Sequence, residues 1–170
     1  MQFSSFKWPC RIGVLSDTHV ADIWRDEGLV AELESHFRGV DLLLHAGDIL
    51  DPLLLGCFTI CPLLAVRGNM DRSSPDLPER RIIRVGPFRI GLVHGWGSPQ
   101  GLESRLLREF SPQPVDCLIY GHSHRALCRH RSGVLLFNPG SPTDRRGAPF
   151  HSVGVIEVKD RIEGRIIPLD

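Results

Sequence analysis

The 170-residue sequence lacks an excess of charge of either sign, because twenty lysines and arginines balance twenty aspartates and glutamates. Non-specific binding to nucleic acids depends largely on the neutralisation of phosphates by Lys and Arg. The balanced composition therefore weighs against a nucleic-acid partner, although a local basic patch is compatible with it.

Long hydrophobic runs are also missing. No segment approaches the roughly 20 apolar residues that a membrane helix needs, and the N-terminus, MQFSSFKWPCRIGVLSD, has neither the apolar stretch nor the small-residue cleavage site of a secretory signal. These features predict a soluble, cytoplasmic protein with no membrane partner. The length and the 42% hydrophobic content suit one compact domain over residues 1–170.

Cysteine is scarce and odd in number, with five in the chain. Cys57 and Cys61 are too widely spaced for a CxxC motif, so neither a disulfide framework nor a structural zinc site is indicated. Because free cysteine behaves as a small hydrophobe, we expect all five to be reduced and buried.

Short apolar runs alternate with amphipathic stretches, the pattern of strands joined by crossover helices. Asp51 ahead of Pro52 resembles a helix N-cap, and Ser98 is a second candidate cap. The tail is broken by Gly, Pro and Asp, which predicts an antiparallel second half packed on a more parallel first half. The predicted strands are 11–16, 40–45, 63–66, 81–85, 88–93, 117–120, 127–131, 134–138, 153–158 and 161–167, and the predicted helices are 28–37, 53–58 and 99–110.

Polar side chains follow the buried strands at the points where the strands end. In open α/β sheets, ligands bind beyond the carboxyl ends of the strands, so residues far apart in sequence can converge there. The candidates are Asp17 and His19 in SDTH, Asp48 in HAGD, Asn69 and Asp71 in RGNMD, His94 in LVHG, and His122 and His124 in YGHSH.

Each motif alone has an ordinary structural interpretation. Asp-x-His, Gly-Asp and Gly-Asn are common in turns, and a single histidine such as His94 can satisfy its hydrogen bonds within a core. His-x-His is more informative, because alternate residues of an extended segment share a face. Five such motifs in order, each after a separate apolar strand, favour a metal site.

The types of ligand narrow the choice of metal. Carboxylate, imidazole and amide groups without a thiolate suit Mn, Fe, Ni or Zn, and we favour Mn. Asp71 aside, seven candidate ligands exceed what one four-coordinate ion requires. Two divalent ions that share one carboxylate are the simplest arrangement.

The ordered blocks SDTH, GD, GN, HG and GHSH resemble those of the calcineurin-like metallophosphoesterases. The short length and the RGNxD block are similar to the family's small branch of compact bacterial and archaeal phosphodiesterases, and FNPGS at 137–141 matches a block typical of that branch. The resemblance extends from about Arg11 to Ser141. It implies an α/β fold in which two mixed sheets pack as a sandwich flanked by helices.

The resemblance also implies a division of the ligands between two ions. It assigns Asp17, His19 and His124 to one ion and Asn69, His94 and His122 to the other, with Asp48 as the bridge. Two cations about 3.5–4 Å apart can generate hydroxide at neutral pH and stabilise an in-line phosphoryl displacement. The expected activity is therefore hydrolysis of a small phosphodiester by water.

Residues around the predicted ligands have competing interpretations. The predicted catalytic residues are Asp48, Asp71 and Arg67, since a guanidinium suits bidentate phosphate contact. Arg67 and Arg72 can equally form salt bridges within the loop, Arg72 with Asp71. His45 is either a residue that supports a ligand or a core histidine.

Two positions depart from the family pattern. Met70 stands where many larger relatives have a histidine that assists the leaving group, and Trp96 stands where relatives often read His-Gly-His. Methionine cannot donate a proton, which predicts a preference for leaving groups that need little protonation. Trp96 either packs against the wall of the pocket or stacks on an aromatic group.

Two other functions are compatible with the resemblance. The eukaryotic retromer subunit resembles this branch and has lost or weakened its metal chemistry, so a protein-interaction scaffold is one alternative; the intact ligand positions weigh against it. A nuclease is another, against which the neutral charge and the lack of an added capping domain weigh. Relatives commonly self-associate, so a homo-oligomer with a contact near Trp24 is a further expectation.

Overall fold

The computed structural model describes residues 2–25 and 27–169. These residues form strands β1 (Gln2–Phe6), β2 (Cys10–Leu15), β3 (Leu42–His45), β4 (Leu63–Ala65), β5 (Arg80–Val85), β6 (Phe88–Val93), β7 (Cys117–Ile119), β8 (Leu127–Arg131), β9 (Val134–Asn138), β10 (Ser152–Val158) and β11 (Ile162–Pro168). The helices are α1 (Glu27–His36), α2 (Leu53–Cys57) and α3 (Leu102–Glu109), with a 3-10 turn at Ile23–Arg25. Within the described ranges, no helix is both long and apolar enough to cross a membrane.

The strands form two mixed sheets. The first has the order β1-β5-β6-β7-β9-β8, and the second has the order β11-β10-β2-β3-β4. Within them, β2, β3 and β4 run parallel, as do β6, β7 and β9. The predicted pair of mixed sheets is therefore confirmed.

The sheets pack face to face, with helices on the outer faces. Ile12, Leu44, Ile90 and Ile119 belong to the core between the sheets. The opposite faces pack on helices: Leu43 belongs to the cluster around α1 and α2, and a third cluster packs against α3. This alternation follows from the two-residue period of a strand, and it leaves the strand ends free to carry the site.

The expected division into an antiparallel second half and a more parallel first half is confirmed only in part, because β8 with β9 and β10 with β11 form antiparallel pairs but the two halves do not form separate sheets. The hairpin of β10 and β11 joins β2 in the sheet of the early strands, while β7 and β9 pair in parallel. The C-terminal hairpin is apolar along its inner face, so it completes the core of the N-terminal sheet.

The cysteines depart from the expectation in part. All five are free thiols, but only Cys10 and Cys117 are buried; Cys57 and Cys61 are half-buried and Cys128 is exposed. Cys128 lies on β8, which is an edge strand of its sheet among the described residues.

Candidate metal centre

The predicted ligands lie where the two sets of parallel strands end. Asp17 follows β2, Asp48 follows β3 and Asn69 follows β4 in one sheet, while His94 follows β6 and His122 follows β7 in the other. Backbone hydrogen bonds join the loops within each sheet, from Asp17 N to Gly47 O at 2.9 Å and from Gly121 N to His94 O at 3.0 Å. Across the two sheets, His122 N donates to Asp17 Oδ2 at 3.0 Å. Both sheets therefore contribute to one cluster.

The ligand loops share an unusual backbone conformation. Five candidate ligands have positive φ angles, although none is glycine: Asp17 (54°), His19 (47°), Asp48 (57°), His122 (69°) and His124 (55°). Such conformations are uncommon for residues with a Cβ and cluster at functional sites. The surrounding hydrogen bonds hold these backbones in place and direct the side chains inward.

Two glycines allow the loops to approach the carboxylates. A Cβ at Gly68 would lie 2.1 Å from Asp48 Oδ1, and a Cβ at Gly121 would lie 2.6 Å from Asp17 Oδ2. Neither distance is tolerable for a methyl group, so Gly68 in RGN and Gly121 in YGH are required by close packing against the site.

One group of ligands contains Asp17, His19 and His124. Nε2 of His124 lies 3.3 Å from Asp17 Oδ1 and 3.2 Å from His19 Nε2, and the two rings stack at 5.0 Å between centroids. This is the set that the resemblance assigned to one ion.

The second group contains Asp48 and His94, and it includes Asp17 as well. Asp48 Oδ2 lies 3.3 Å from His94 Nε2 and 3.8 Å from His19 Nε2, so this carboxylate touches a member of each set. Asp17 Oδ1 lies 3.9 Å from His94 Nε2. Both carboxylates therefore lie between the two groups, whereas only Asp48 was expected there.

Asn69 and His122 form a third contact beside this group. Asn69 Oδ1 lies 3.0 Å from His122 Nδ1, and the rings of His94 and His122 meet edge to face at 5.4 Å. All seven predicted ligands are thus gathered at one place.

The tautomers of three histidines suit a bound cation. Nδ1 of His94 donates to Ala46 O at 2.7 Å, Nδ1 of His124 donates to Asp144 O, and Nε2 of His122 donates to Gly97 O at 2.7 Å. A carbonyl can only accept, so in each neutral ring the other nitrogen carries a lone pair.

Those lone pairs face other acceptors. His94 Nε2 is buried without a hydrogen-bond partner among the described residues, beside the carboxylates of Asp48 and Asp17. Buried acceptors that converge without donors are costly unless a cation or a proton lies between them. The imidazole and carboxylate groups present here therefore fit a divalent metal ion, which this type of donor set binds.

The pKa values of the two buried carboxyl groups and of His94 are shifted by the same contacts. Burial alone would raise the pKa of Asp17, but the imidazoles of His124 and His94, in their protonated forms, outweigh burial and lower it. The pKa of Asp48 is lowered against burial by His94 in the same way. Burial would lower the pKa of His94, yet Asp48 and Asp17 raise it. Both carboxylates thus remain anionic inside the protein.

Asp71 has a structural role that its place in the sequence did not reveal. Oδ1 accepts hydrogen bonds from the N–H groups of Ile49 (2.7 Å) and Leu50 (2.9 Å). Oδ2 accepts from Asp48 N (2.9 Å) and Gly68 N (2.7 Å). With four backbone donors on its oxygens, Asp71 joins the loops of Asp48 and Asn69 and acts as a positioning residue, while its catalytic role stays a prediction.

The arginines near the site differ in their partners. Arg67 Nη2 donates to Glu79 Oε1 at 2.6 Å, as the salt-bridge interpretation expected, and the phosphate contact of Arg67 stays a prediction. Arg72 has no ion pair with any described residue, so the expected pair with Asp71 is absent because Asp71 is occupied by the backbone.

His45 is a core histidine that supports the loops. It is fully buried, accepts a hydrogen bond from Gly47 N at 3.1 Å through Nδ1, and contacts Thr18 Oγ1 at 3.2 Å through Nε2. Burial lowers its pKa to about 4. A neutral His45 therefore links the segment after Asp17 to the segment before Asp48.

The FNPGS block supplies supports that the sequence analysis left without a role. Ser141 Oγ donates to Asp17 O at 2.7 Å, and Asn138 Nδ2 donates to Gly121 O at 3.0 Å. Asp144, which orients His124, lies just beyond the block. The signal available was the position of FNPGS after β9, a parallel neighbour of β7.

Known proteins resemble this chain over nearly its whole length. The family model for the calcineurin-like phosphoesterase superfamily domain matches residues 10–161. A probable metallophosphoesterase of Methanocaldococcus jannaschii is 36% identical over 161 residues, which are 94% of this chain and 81% of the relative.

Two solved structures show the same fold. An archaeal phosphodiesterase superposes with a TM-score of 0.73 at 20% identity, over 93% of this chain and 99% of that one. A single mutant of Vps29 from Entamoeba histolytica superposes with a TM-score of 0.71 at 23% identity, over 94% and 99%.

Proposed function

This chain belongs to the calcineurin-like phosphoesterase superfamily, and we propose that it is a phosphodiesterase that uses two divalent cations to hydrolyse a P–O bond of a small phosphoester. The observation that carries the proposal is the convergence of histidine lone pairs on two buried carboxylates. His94 Nε2 lies 3.3 Å from Asp48 Oδ2, and His124 Nε2 lies 3.3 Å from Asp17 Oδ1. Among the described residues, His94 Nε2 has no hydrogen-bond partner.

We propose the division of the ligands that the family resemblance implies. Asp17, His19 and His124, whose ligand atoms lie together, would hold one cation, and His94 with the contacting pair of Asn69 and His122 would hold the other. Asp48 contacts histidines of both sets and joins them. Asp17 also lies within reach of His94, which makes it a second carboxylate for the same pair of ions.

The protein's own groups keep the site ready for the reaction. Cations bound there lower the pKa of water and offset the charge of a phosphoryl group. Ala46 O, Gly97 O and Asp144 O fix the orientation of His94, His122 and His124. Met70 N donates to Asp48 Oδ1 at 2.8 Å, which leaves Oδ2 directed toward the histidines. Asp71 holds the backbone of Asp48.

Other parts of the proposal concern the whole protein. We propose that residues 1–170 form one domain, because the C-terminal hairpin completes the N-terminal sheet. Mn is the favoured metal, with Ni, Fe or Zn as alternatives, because oxygen and imidazole ligands without thiolate suit these ions. Nothing in the balanced charge favours nucleic acid as the substrate.

The test is hydrolysis of an activated diester and of the matching monoester by chelator-stripped protein, with Mn, Ni, Fe or Zn restored singly. We expect cleavage of the diester only when metal is restored, and loss of cleavage in Asp48→Asn. Asp22→Asn is the matched control, because Asp22 lies outside the ligand groups. Absence of cleavage with every metal, from folded protein, would reject the enzyme and favour the alternative of a protein-interaction scaffold.

A further inference from the structure

A cleft of about 400 Å³ adjoins the candidate metal centre. His94 and Gly68 belong to both, since His94 is a candidate ligand and Gly68 packs against Asp48. The rest of the lining of this cleft, which we call the Trp96 cleft, includes Arg67, Glu79, Arg80, Trp96 and Glu109. A group attached to a phosphate at the metal centre can therefore extend into it.

Trp96 is presented to this cleft by a fixed backbone. Its side chain is 43% exposed, so the core does not absorb it. Arg105 on α3 donates from Nη2 to Trp96 O at 2.9 Å and from Nη1 to Gln100 O at 2.9 Å. His122, a candidate ligand, donates to Gly97 O on the same loop. The loop that carries Trp96 is thus tied to the metal centre.

The charges of the cleft are compensated in pairs. Arg67 lies 2.6 Å from Glu79, and Arg80 lies 2.8 Å from Glu109. A cleft whose arginines are paired with glutamates does not attract a second phosphate as a set of free guanidinium groups would. Such a cleft suits a neutral group with polar edges, and the exposed indole suits a planar one.

We propose that the Trp96 cleft binds a planar aromatic group carried by the phosphoester, stacked on the indole of Trp96. A nucleobase and a simple aryl ring share this chemistry. The inference uses the proposed metal site only as the anchor for the phosphate, and it concerns the recognition of the group attached to that phosphate.

The test is calorimetric binding to Mn-loaded protein, so it does not depend on turnover. Adenosine 5′-monophosphate is compared with ribose 5-phosphate for the nucleobase, and phenylphosphonate with methylphosphonate for the aryl ring. We expect the aromatic member of at least one pair to bind more tightly by about fivefold or more, which corresponds to the stacking of one base on an aromatic side chain. The pair with the larger ratio identifies the source of the ring.

Variants separate stacking from general effects. In Trp96→Ala, the two members of each pair should bind with equal affinity, while methylphosphonate binds as it does to the wild type. Trp96→Phe should retain part of the difference in affinity. Trp24→Ala is the matched control, because Trp24 is 72% exposed and does not line the cleft. Equal affinities within both pairs, or a ratio that survives in Trp96→Ala, would overturn the inference. Ring-dependent binding without hydrolysis would reject the proposed activity and leave this inference standing.

Discussion

Met70 shows how one residue beside the site can restrict its chemistry. Its backbone N–H donates to Asp48 Oδ1, while its side chain is 54% exposed and has no proton to give. We therefore expect this protein to prefer substrates whose leaving group needs little protonation. Residues of this kind affect the range of substrates without altering the ligands.

We predict that Met70→His accelerates hydrolysis of an alkyl diester, which has a poor leaving group, and hardly changes hydrolysis of a nitrophenyl diester. General acid catalysis is typically worth about 10²–10⁴ in rate, so a gain of about tenfold or more is expected even in imperfect geometry. Steady-state rates with both substrates check this, with Met70→Leu as the control of similar size. An unchanged rate on the alkyl diester would count against the role given to Met70.

We predict a pH-dependent contribution of His45 to stability. Burial lowers its pKa to about 4 from an ordinary value of 6.5, so below pH 6.5 the unfolded chain takes up a proton that the folded protein excludes. The contribution of this group to stability is therefore lost as the pH falls from 6.5 to 4, by up to about 3 kcal/mol. Denaturant unfolding of metal-free wild type and His45→Asn at pH 7.5 and 4.5 measures it.

The comparison of the wild type with His45→Asn separates the contribution of His45 to stability from those of the other histidines. The variant should be the less stable at pH 7.5, because it loses buried contacts with Gly47 and Thr18. Its deficit should narrow at pH 4.5. A deficit that is equal at the two pH values would mean that His45 has the same pKa in the folded and the unfolded protein, which would contradict this prediction.

At the scale of elements, the loops between strands determine the site. The strands were predicted to within about two residues, because buried strands are continuous apolar runs. β1 was missed because QFSSF has little apolar alternation. Helix α3 begins at Leu102, three residues after its predicted start, because Gly101 adopts a left-handed conformation (φ 71°) and Ser98 Oγ accepts from Gln100 N ahead of it.

The loop conformations could not be predicted in the same way. The sequence places ligand types after strands, but positive φ angles at Asp17 and Asp48 decide which atoms meet. Asp17 was consequently expected in one ligand group and contacts both. The four backbone N–H groups that Asp71 binds could not be predicted either, because nothing in RGNMD indicates where a carboxylate points.

We predict that Gly68→Ala weakens metal binding by at least about tenfold, because the new methyl group displaces Asp48, and destabilises the protein by about 1–3 kcal/mol. Gly56→Ala is the matched control: it lies in α2 with no atom within 4 Å of its added Cβ, so its stability should be unchanged or slightly greater. Thermal unfolding with and without Mn²⁺ compares the two. Wild-type metal stabilisation in Gly68→Ala would refute the close-packing argument.

At the scale of the whole molecule, two sheets from interleaved parts of the chain bring their strand ends to one place. The convergence of the ligands could be predicted, because ligands bind beyond the carboxyl ends of parallel strands. The pairing of β10 and β11 with the sheet of β2, β3 and β4 could not, because it depends on long-range packing that local patterns do not encode. Trp24 is 72% exposed, and self-association through this region stays a prediction.

A count of bound metal ions by native mass spectrometry, after chelation and reconstitution with Mn²⁺, decides whether this chain binds a pair of cations. Two ions per chain are predicted for the wild type, and fewer for Asp48→Asn, because Asp48 contacts histidines of both groups. One ion in the wild type would contradict the shared carboxylate, and no bound metal in a folded protein would contradict the account as a whole.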